Sequence, residues 1–259
     1  MKVFILTSSY SGTAAHHLPY LLNADDFEVV MVIVSKGIIK DKKRFYIKKL
    51  KKTFKIGLLG AINGIRMRKW FNQGVDEYIK IGDIRDICKE YDIPVAEVPV
   101  INCEQTVAYI KESGADLGIS LGNGYIGSKV FSSAPRGMIN IHHEILPSYQ
   151  NAQSIIWQIY NKSSVTGYTI HKIDKHIDTG DILYQKEVPI QFKPKLSETI
   201  ARTSAALLKA SADGLVYTLS HFDVLFANAK PQGKGTSYTT PSIWQFIRIL
   251  NNFSKLKHK

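Results

Sequence analysis

The fold is decided by residues 2–22, KVFILTSSYSGTAAHHLPYLL, in which an apolar run of strand length precedes a polar turn and a helical pattern. Residues 28–34, EVVMVIV, predict a second strand, whose β-branched residues without alternation are typical of a parallel strand covered on both faces. Further strands are predicted at 95–98, 116–121 and 137–141, with helices at 83–91 and 103–113. This alternation predicts an α/β fold with an open, doubly wound, mostly parallel sheet.

Composition favours one large domain, because the chain has 259 residues and is 44% hydrophobic. It contains no run of about 18 apolar residues, so no membrane-spanning helix is predicted. The two cysteines, Cys88 and Cys103, lack metal-ligand spacing, which favours a reduced, cytoplasmic setting and no metal site. We expect a catalytic domain at 1–190, and a helix at 197–220 that begins a C-terminal extension, 191–259, packed on that domain.

The net charge of +12 comes from one segment, since residues 36–72 hold 13 lysines and arginines and a single acid. This segment interrupts the strand–helix alternation and predicts two helices, at 40–55 and 57–71. Three interpretations remain open: a surface for nucleic acid, a surface for an anionic membrane or partner protein, or a hairpin packed on the domain or on a dimer mate, with solvated lysines. The third is favoured over docking, and nucleic acid is the least favoured.

Ligands of such sheets bind beyond the carboxyl ends of the strands, where the loops 8–13, 122–127 and 142–152 are expected. Asn140 and His142 lie two residues apart around the end of a predicted strand, so their side chains face the same way. An amide donates without titrating, and an imidazole exchanges a proton near neutral pH. Asp178, in a turn that Gly180 permits, adds a carboxylate that can orient His142 or accept a proton. Alone, each of these motifs is more often an ordinary hydrogen-bonded loop.

In combination, these motifs resemble the folate-dependent formyltransferase family over residues 90–190. The resemblance rests on Asn140 with His142, then Leu146-Pro147, then Thr166-Gly167, and finally Asp178 with Gly180, in this order. It implies a Rossmann-like fold, N10-formyltetrahydrofolate as the formyl donor, a primary amine as the acceptor and no metal.

The resemblance also implies a role for each site residue. Asn140 would bind the formyl oxygen, His142 would stabilise the oxyanion or protonate the leaving nitrogen, and Asp178 would orient His142 and assist proton removal. The cofactor-binding residues are expected to be Gly124, Tyr125, Ile126, Gly127, Asp174 and Ile177. The substrate-binding residues are expected to be Ser9, Tyr10, Gly12, Glu144, Tyr149, Gln150, Asn151 and Tyr238. Glu144 and the pair Gln150-Asn151 depart from the family pattern, which has Ser and Arg-Gly there.

The acceptor implied by the resemblance is the amine of a nucleotide-diphosphate amino sugar, used for surface polysaccharide of the O-antigen or lipopolysaccharide type. The loop SSYSGT, 8–13, lacks the signature of the purine-pathway branch, and too few residues follow the predicted 197–220 helix for the barrel of the initiator-tRNA branch. Glycinamide ribotide, initiator methionyl-tRNA and a non-catalytic scaffold remain alternatives. A homodimer is predicted. His16 and His17 are interpreted as helix-surface residues, with contact to a substrate phosphate as the alternative, and His171 as a structural residue of its strand. Asn102 is predicted to cap the 103–113 helix.

Overall fold

Seven strands form one sheet in the order β3-β2-β1-β4-β5-β6-β7. The strands are β1 (Lys2–Thr7), β2 (Glu28–Ser35), β3 (Val95–Val98), β4 (Leu117–Leu121), β5 (Met138–His142), β6 (Val165–Lys172) and β7 (Ile182–Pro189). Strands β1 to β5 pair in parallel, whereas β6 pairs antiparallel with both β5 and β7. The predicted α/β class and mostly parallel sheet are confirmed.

This computed structural model describes residues 1–39, 41–72, 74–151 and 155–258. Three predicted boundaries lie outside these ranges: residue 40 as the start of a helix, residue 152 as the end of a loop and residue 259 as the end of the extension. The helices are α1 (Thr13–Leu22), α2 (Lys42–Ile56), α3 (Leu58–Asn72), α4 (Ile84–Glu90), α5 (Glu104–Glu112), α6 (Ser128–Phe131), α7 (Ile156–Tyr160), α8 (Leu196–Ser220), α9 (Phe222–Ala227) and α10 (Ile243–Leu256).

The predicted cap of α5 is wrong. The N-cap position is Cys103, which makes no capping hydrogen bond through its side chain. Asn102 instead reaches the loop after β4, where its amide donates to the Tyr125 carbonyl oxygen and its Oδ1 accepts from the Gly127 amide, at 3.0 and 2.6 Å. Asn102 therefore shapes one wall of the region where the sequence predicts a ligand.

Apolar side chains cover both faces of the sheet, as expected for parallel strands. Val3, Ile5 and Val32 face a core that includes Leu18 and Leu215 from the helices, while Phe4 and Leu6 face a second core on the other side. A third apolar cluster joins the basic segment and the C-terminal helices to the sheet region through Met67, Ile156, Ile200 and Ile249. Within the ranges given above, no helix is long and apolar enough to cross a membrane.

Candidate active site

A cleft of about 250 Å³ opens at the carboxyl ends of β4 and β5 and beneath the loop between β6 and β7. The residues predicted from the sequence that line it are Asn140, His142, Asp178, Gly124, Tyr125, Ile126, Asn151, Asp174 and Ile177. Gly122 and Asn123, from the predicted loop 122–127, also line it, together with residues that were not individually predicted as site residues: Ser120, Ile141, His171, Ile173 and His176. The cleft therefore brings the amide, the imidazole and the carboxylate together.

Asn140 is oriented by a histidine from the neighbouring strand. In the antiparallel pairing of β5 and β6, Asn140 lies opposite His171, and its Nδ2 is 3.3 Å from His171 Nε2. His171 Nδ1 lies 2.8 Å from the Lys172 carbonyl oxygen, which can only accept, so Nδ1 carries the proton and Nε2 accepts from Asn140. Burial lowers the pKa of His171, which favours this neutral form. Asn140 keeps a second amide hydrogen that a ligand oxygen can accept.

His142 is held at both of its ring nitrogens. Its Nε2 donates to the Tyr149 carbonyl oxygen at 2.9 Å, and its Nδ1 lies 3.6 Å from Asp178 Oδ2. Since Nε2 is committed to a carbonyl, Nδ1 is the nitrogen left facing Asp178. The two contacts therefore fix the orientation of the His142 ring at the cleft.

Asp178 is fixed by its backbone as well as by its neighbours. Its φ is 57°, in the left-handed region that Asp and Asn tolerate better than most residues. The Asn151 amide donates to Oδ2 at 3.1 Å, and the Gln150 side chain donates to the Asp178 carbonyl oxygen at 3.3 Å. Oδ1 lies 3.8 Å from His171 Nε2, so one carboxylate faces both histidines.

The glycine of the Thr-Gly motif and the leucine of the Leu-Pro motif both make close contacts around the loop that follows β5. A Cβ on Gly167 would lie 2.4 Å from the Lys186 carbonyl oxygen and 2.3 Å from Ile145 Cδ1, so only glycine allows β7 and the loop after β5 to approach this closely. Thr169 Oγ1 accepts from the Leu146 amide and donates to the Glu144 carbonyl oxygen, at 3.1 and 2.7 Å. These contacts tie the loop that follows His142 to β6.

The loop after β4 is connected to the loop after β1. Asn123 donates to the Leu6 carbonyl oxygen, and Ser8 Oγ lies 2.8 Å from Asn123 Oδ1. Gly127 lies beyond the cleft, in a neighbouring depression with Asn102. The sequence predicted that this loop borders the ligand site, and the structure shows that Asn123 makes the hydrogen bonds that hold it to the loop after β1.

Glu144 does not reach the cleft, contrary to the sequence expectation. It is only 1% exposed and accepts a hydrogen bond from Gln158. The other predicted residues of the first loop are also not part of the cleft lining. Tyr10 donates to Glu97 Oε1 at 2.6 Å and packs under the Arg85 guanidinium, Gly12 precedes α1, and Ser9 bonds within its own loop.

Tyr149, Gln150 and Tyr238 form a structured wall next to Asn151. The rings of Tyr149 and Tyr238 stack with centroids 5.5 Å apart, and Tyr238 also packs on Trp157, which is 3% exposed. The backbone of Gln150 pairs with that of Ser237, and its amide donates to the Thr236 carbonyl oxygen. The C-terminal extension therefore builds part of the wall beside Asp178.

The cleft can bind a carbonyl oxygen at Asn140, stabilise developing negative charge at His142 and accept a proton at Asp178. These three functions are what acyl transfer to an amine requires. Among the side chains that the structure describes, no group of three or more His, Cys, Asp or Glu is placed to hold a metal ion.

Comparisons with known proteins agree with this chemistry. Residues 99–217 match the family model described as formyl transferase. The methionyl-tRNA formyltransferase of Ruminiclostridium cellulolyticum is 31% identical over 169 residues, which are 65% of this chain and 53% of that protein. The chain thus spans about half the length of this curated relative.

Solved structures show the same fold at low identity. The phosphoribosylglycinamide formyltransferase of Anaplasma phagocytophilum superposes with a TM-score of 0.58 at 16% identity, covering 93% of this chain and 96% of the other. A sugar 3N-formyl transferase, solved in the presence of dTDP and 5-N-formyl-THF, superposes with a TM-score of 0.53 at 17% identity, covering 92% and 69%.

Proposed function

We propose that the chain belongs to the folate-dependent formyltransferase family, as the match of residues 99–217 to the formyl transferase model supports, and that it transfers a formyl group from N10-formyltetrahydrofolate to a primary amine. The observation that carries the proposal is the network in which His171 orients Asn140 and Asp178 faces His142. A binding protein without chemistry would not need an oriented amide, an imidazole and a carboxylate around one cleft.

Each residue of the trio has one task in the proposed reaction. The donor, when bound, supplies the formyl carbon and the nitrogen that departs. Asn140 donates its second amide hydrogen to the formyl oxygen, and His142 Nδ1–H stabilises the negative charge on that oxygen as the amine adds. Asp178 accepts the proton lost by the amine, which returns to the departing nitrogen as the old C–N bond breaks. A donor that acts only on the transition state contributes roughly 3 kcal/mol.

The donor would lie along the two loops that form the mouth of the cleft. Gly124, Tyr125 and Ile126 come from one loop, and Asp174 and Ile177 from the other. Tyr125 and Ile177 are 51% and 53% exposed, so both offer apolar surface to a flat ring. We propose that these five residues hold the folate, with the backbone groups reading its polar edge.

The acceptor that we propose is the amino group of a nucleotide-diphosphate sugar destined for surface polysaccharide. The support is the aromatic wall of Tyr149 and Tyr238 beside Asp178, which suits a base or a sugar ring. A solved sugar 3N-formyl transferase with the same fold was crystallised in the presence of dTDP. The proposal assumes a cytoplasmic enzyme acting as a homodimer.

Initiator methionyl-tRNA is the second candidate acceptor. It is favoured by the 31% identity to a methionyl-tRNA formyltransferase. The two candidates differ in size and charge, so one assay separates them.

The test combines the purified chain and N10-formyltetrahydrofolate with a panel of nucleotide-linked amino sugars, glycinamide ribotide and methionyl-tRNA. Formylated product is quantified for each acceptor. Formylation of an amino sugar supports the proposed acceptor, formylation of the tRNA alone replaces it with the second candidate, and absence of product with every acceptor contradicts the proposed reaction.

A histidine variant tests the proposed mechanism. His142→Ala should lower turnover at least about a hundredfold, because it removes the group that stabilises the oxyanion. His221→Ala is the matched control, since His221 is exposed at the end of α8. Equal rates for the two variants would rule out the role given to His142.

A further inference from the structure

Two stripes of exposed apolar side chains run along the hairpin of α2 and α3. They are far more exposed than core residues, with Phe54 at 86% and Leu58 at 70%. We call the following eight residues the hairpin surface: Tyr46, Ile47, Leu50, Phe54, Leu58, Leu59, Ile62 and Ile65. On each helix the members recur at spacings of three and four residues, which places them on one face.

The orientation of this surface is set by packing on the opposite face of α3. Met67 is fully buried there, and Gly60 and Gly64 allow the residues before α10 to come close. A Cβ on Gly64 would lie 2.7 Å from Thr240 Cγ2, and one on Gly60 would lie 3.4 Å from the Pro241 carbonyl oxygen. The small face of α3 therefore meets the body of the protein, and the large apolar side chains point away from it.

The hairpin is also strongly basic. Residues 42–72 hold eleven lysines and arginines and no acid. Lys48, Lys51 and Lys55 are exposed and recur at i, i+3 and i+7 of α2, in a row beside the apolar stripe. The surface thus combines an apolar centre with a cationic edge.

Tryptophan 244 extends the same region. It lies in the first turn of α10, next to the Pro241 and Ser242 backbone that contacts α3 at Gly60. It is 78% exposed, whereas Trp157 is 3% exposed. Exposed tryptophan beside basic residues is characteristic of proteins that rest at the level of lipid headgroups.

We propose that the hairpin surface binds the face of an anionic lipid bilayer. A bilayer is the occupant that offers hydrocarbon to the apolar centre and a dense array of phosphates to the lysines at once. A second copy of the chain would bring the same excess of lysine and arginine against this one. A nucleic acid would satisfy the lysines but leave eight apolar side chains without a partner. A hairpin that only packs on the domain and leaves its lysines in solvent would not explain why Phe54 and Leu58 are exposed.

The test measures binding of the full chain to vesicles by flotation. One set is phosphatidylcholine alone, and the other contains about 30% phosphatidylglycerol. The protein should float with the anionic vesicles and not with the neutral ones, and added salt should weaken binding because screening acts on the lysines. Tryptophan fluorescence should shift to shorter wavelength with anionic vesicles, and Trp244→Phe should abolish most of that shift.

Paired variants separate the apolar and basic contributions. Phe54→Ser with Leu58→Ser, and Lys51→Glu with Lys55→Glu, should each weaken binding at least about tenfold. The matched controls are Tyr91→Ser with Val224→Ser, and Lys111→Glu with Lys186→Glu, which change exposed residues outside the hairpin. Circular dichroism and the unfolding midpoint should be unchanged in all four, because every substituted side chain is exposed.

The outcomes that overturn the proposal are specific. One is equal binding to neutral and anionic vesicles, and another is no binding to either. Binding that survives both hairpin variants would assign it to a different surface. A dimer that dissociates on Phe54→Ser with Leu58→Ser would assign the surface to a second copy. If tRNA displaced the protein from the vesicles, and did so equally well with Phe54→Ser and Leu58→Ser in place, the surface would be assigned to nucleic acid. None of these readouts depends on the proposed catalytic function.

Discussion

His171 shows how one residue supports a site without being visible in the motif. It lies directly opposite Asn140 across β5 and β6, and it fixes which way the Asn140 amide faces. The sequence interpretation of His171 as purely structural is therefore incomplete. Its role depends on the register of an antiparallel pair, and register is set by strand contacts that the spacing of residues along the chain does not specify.

Asp178 has a role that an isosteric substitution can test. Asp178→Asn preserves shape and tolerates the same left-handed backbone, but it removes the negative charge beside His142 and the proton acceptor. Turnover should fall about a hundredfold or more, with little change in the free energy of unfolding. Steady-state rates and urea titrations measure the two quantities.

Asp181→Asn is the matched control for this substitution. Asp181 pairs with Lys172 at 3.3 Å, and its side chain is 43% exposed. Its turnover should stay close to that of the unmodified chain. If Asp181→Asn lowered turnover as much as Asp178→Asn, turnover would depend on the total negative charge of this loop and not on the Asp178 carboxylate in particular.

The elements were largely predictable because their patterns are local. Apolar runs located β1 to β5, and helical spacing located α2 to α5 and α8. Glu144, which the family resemblance placed at the substrate, shows what local patterns do not supply. It lies at i+4 from Asn140, so a continuing strand would place it on the same face, but β5 ends at His142. The chain then turns inward, and Glu144 becomes buried against Gln158. Alternation predicts side-chain direction only within a strand.

The loop between β6 and β7 depends on a glycine with no space for a side chain. A Cβ on Gly180 would lie 1.9 Å from the Lys172 carbonyl oxygen, so Gly180→Ala must displace the loop from the end of β6. Because Asp178 lies two residues away, we expect turnover to fall at least about tenfold and stability to fall by about 1–3 kcal/mol. Rates and unfolding midpoints would show both effects.

Gly233→Ala provides the comparison for Gly180→Ala. A Cβ there meets nothing within 4 Å, so neither turnover nor stability should change appreciably. If Gly180→Ala also left both unchanged, the close packing of the loop on β6 would not be what positions Asp178.

At the scale of the whole molecule, a buried polar contact joins three distant parts of the chain. His17 of α1 and His143, just after β5, each place Nε2 3.0 Å from Ser211 Oγ of α8. The sequence interpretation of His16 and His17 as helix-surface residues is wrong, since they are 8% and 0% exposed. Sequence pattern assigned α1 an apolar face but could not show that α8, nearly 200 residues later, covers its histidines. The pairing depends on tertiary packing.

These buried histidines make stability depend on pH. Burial lowers the pKa of His143 to about 4 and that of His17 well below its usual value, while both titrate near 6.5 when unfolded. Between these values the unfolded chain binds protons that the folded chain does not, so stability is full above about pH 6.5 and falls as the pH drops toward 4. For His143 the loss can reach about 3 kcal/mol. Urea titrations at pH 7.5 and pH 5 measure it.

Substitution of His143 separates this effect from the titration of carboxylates. His143→Gln keeps a polar group facing Ser211 but cannot titrate, so its stability should fall less steeply between pH 6.5 and 4 than that of the unmodified chain. His221→Gln, at an exposed position, should keep the steep dependence. Apart from positions 143 and 221, the two variants contain the same carboxylates and histidines. If His143→Gln lost stability as steeply as His221→Gln, the acid sensitivity would therefore come from groups other than His143.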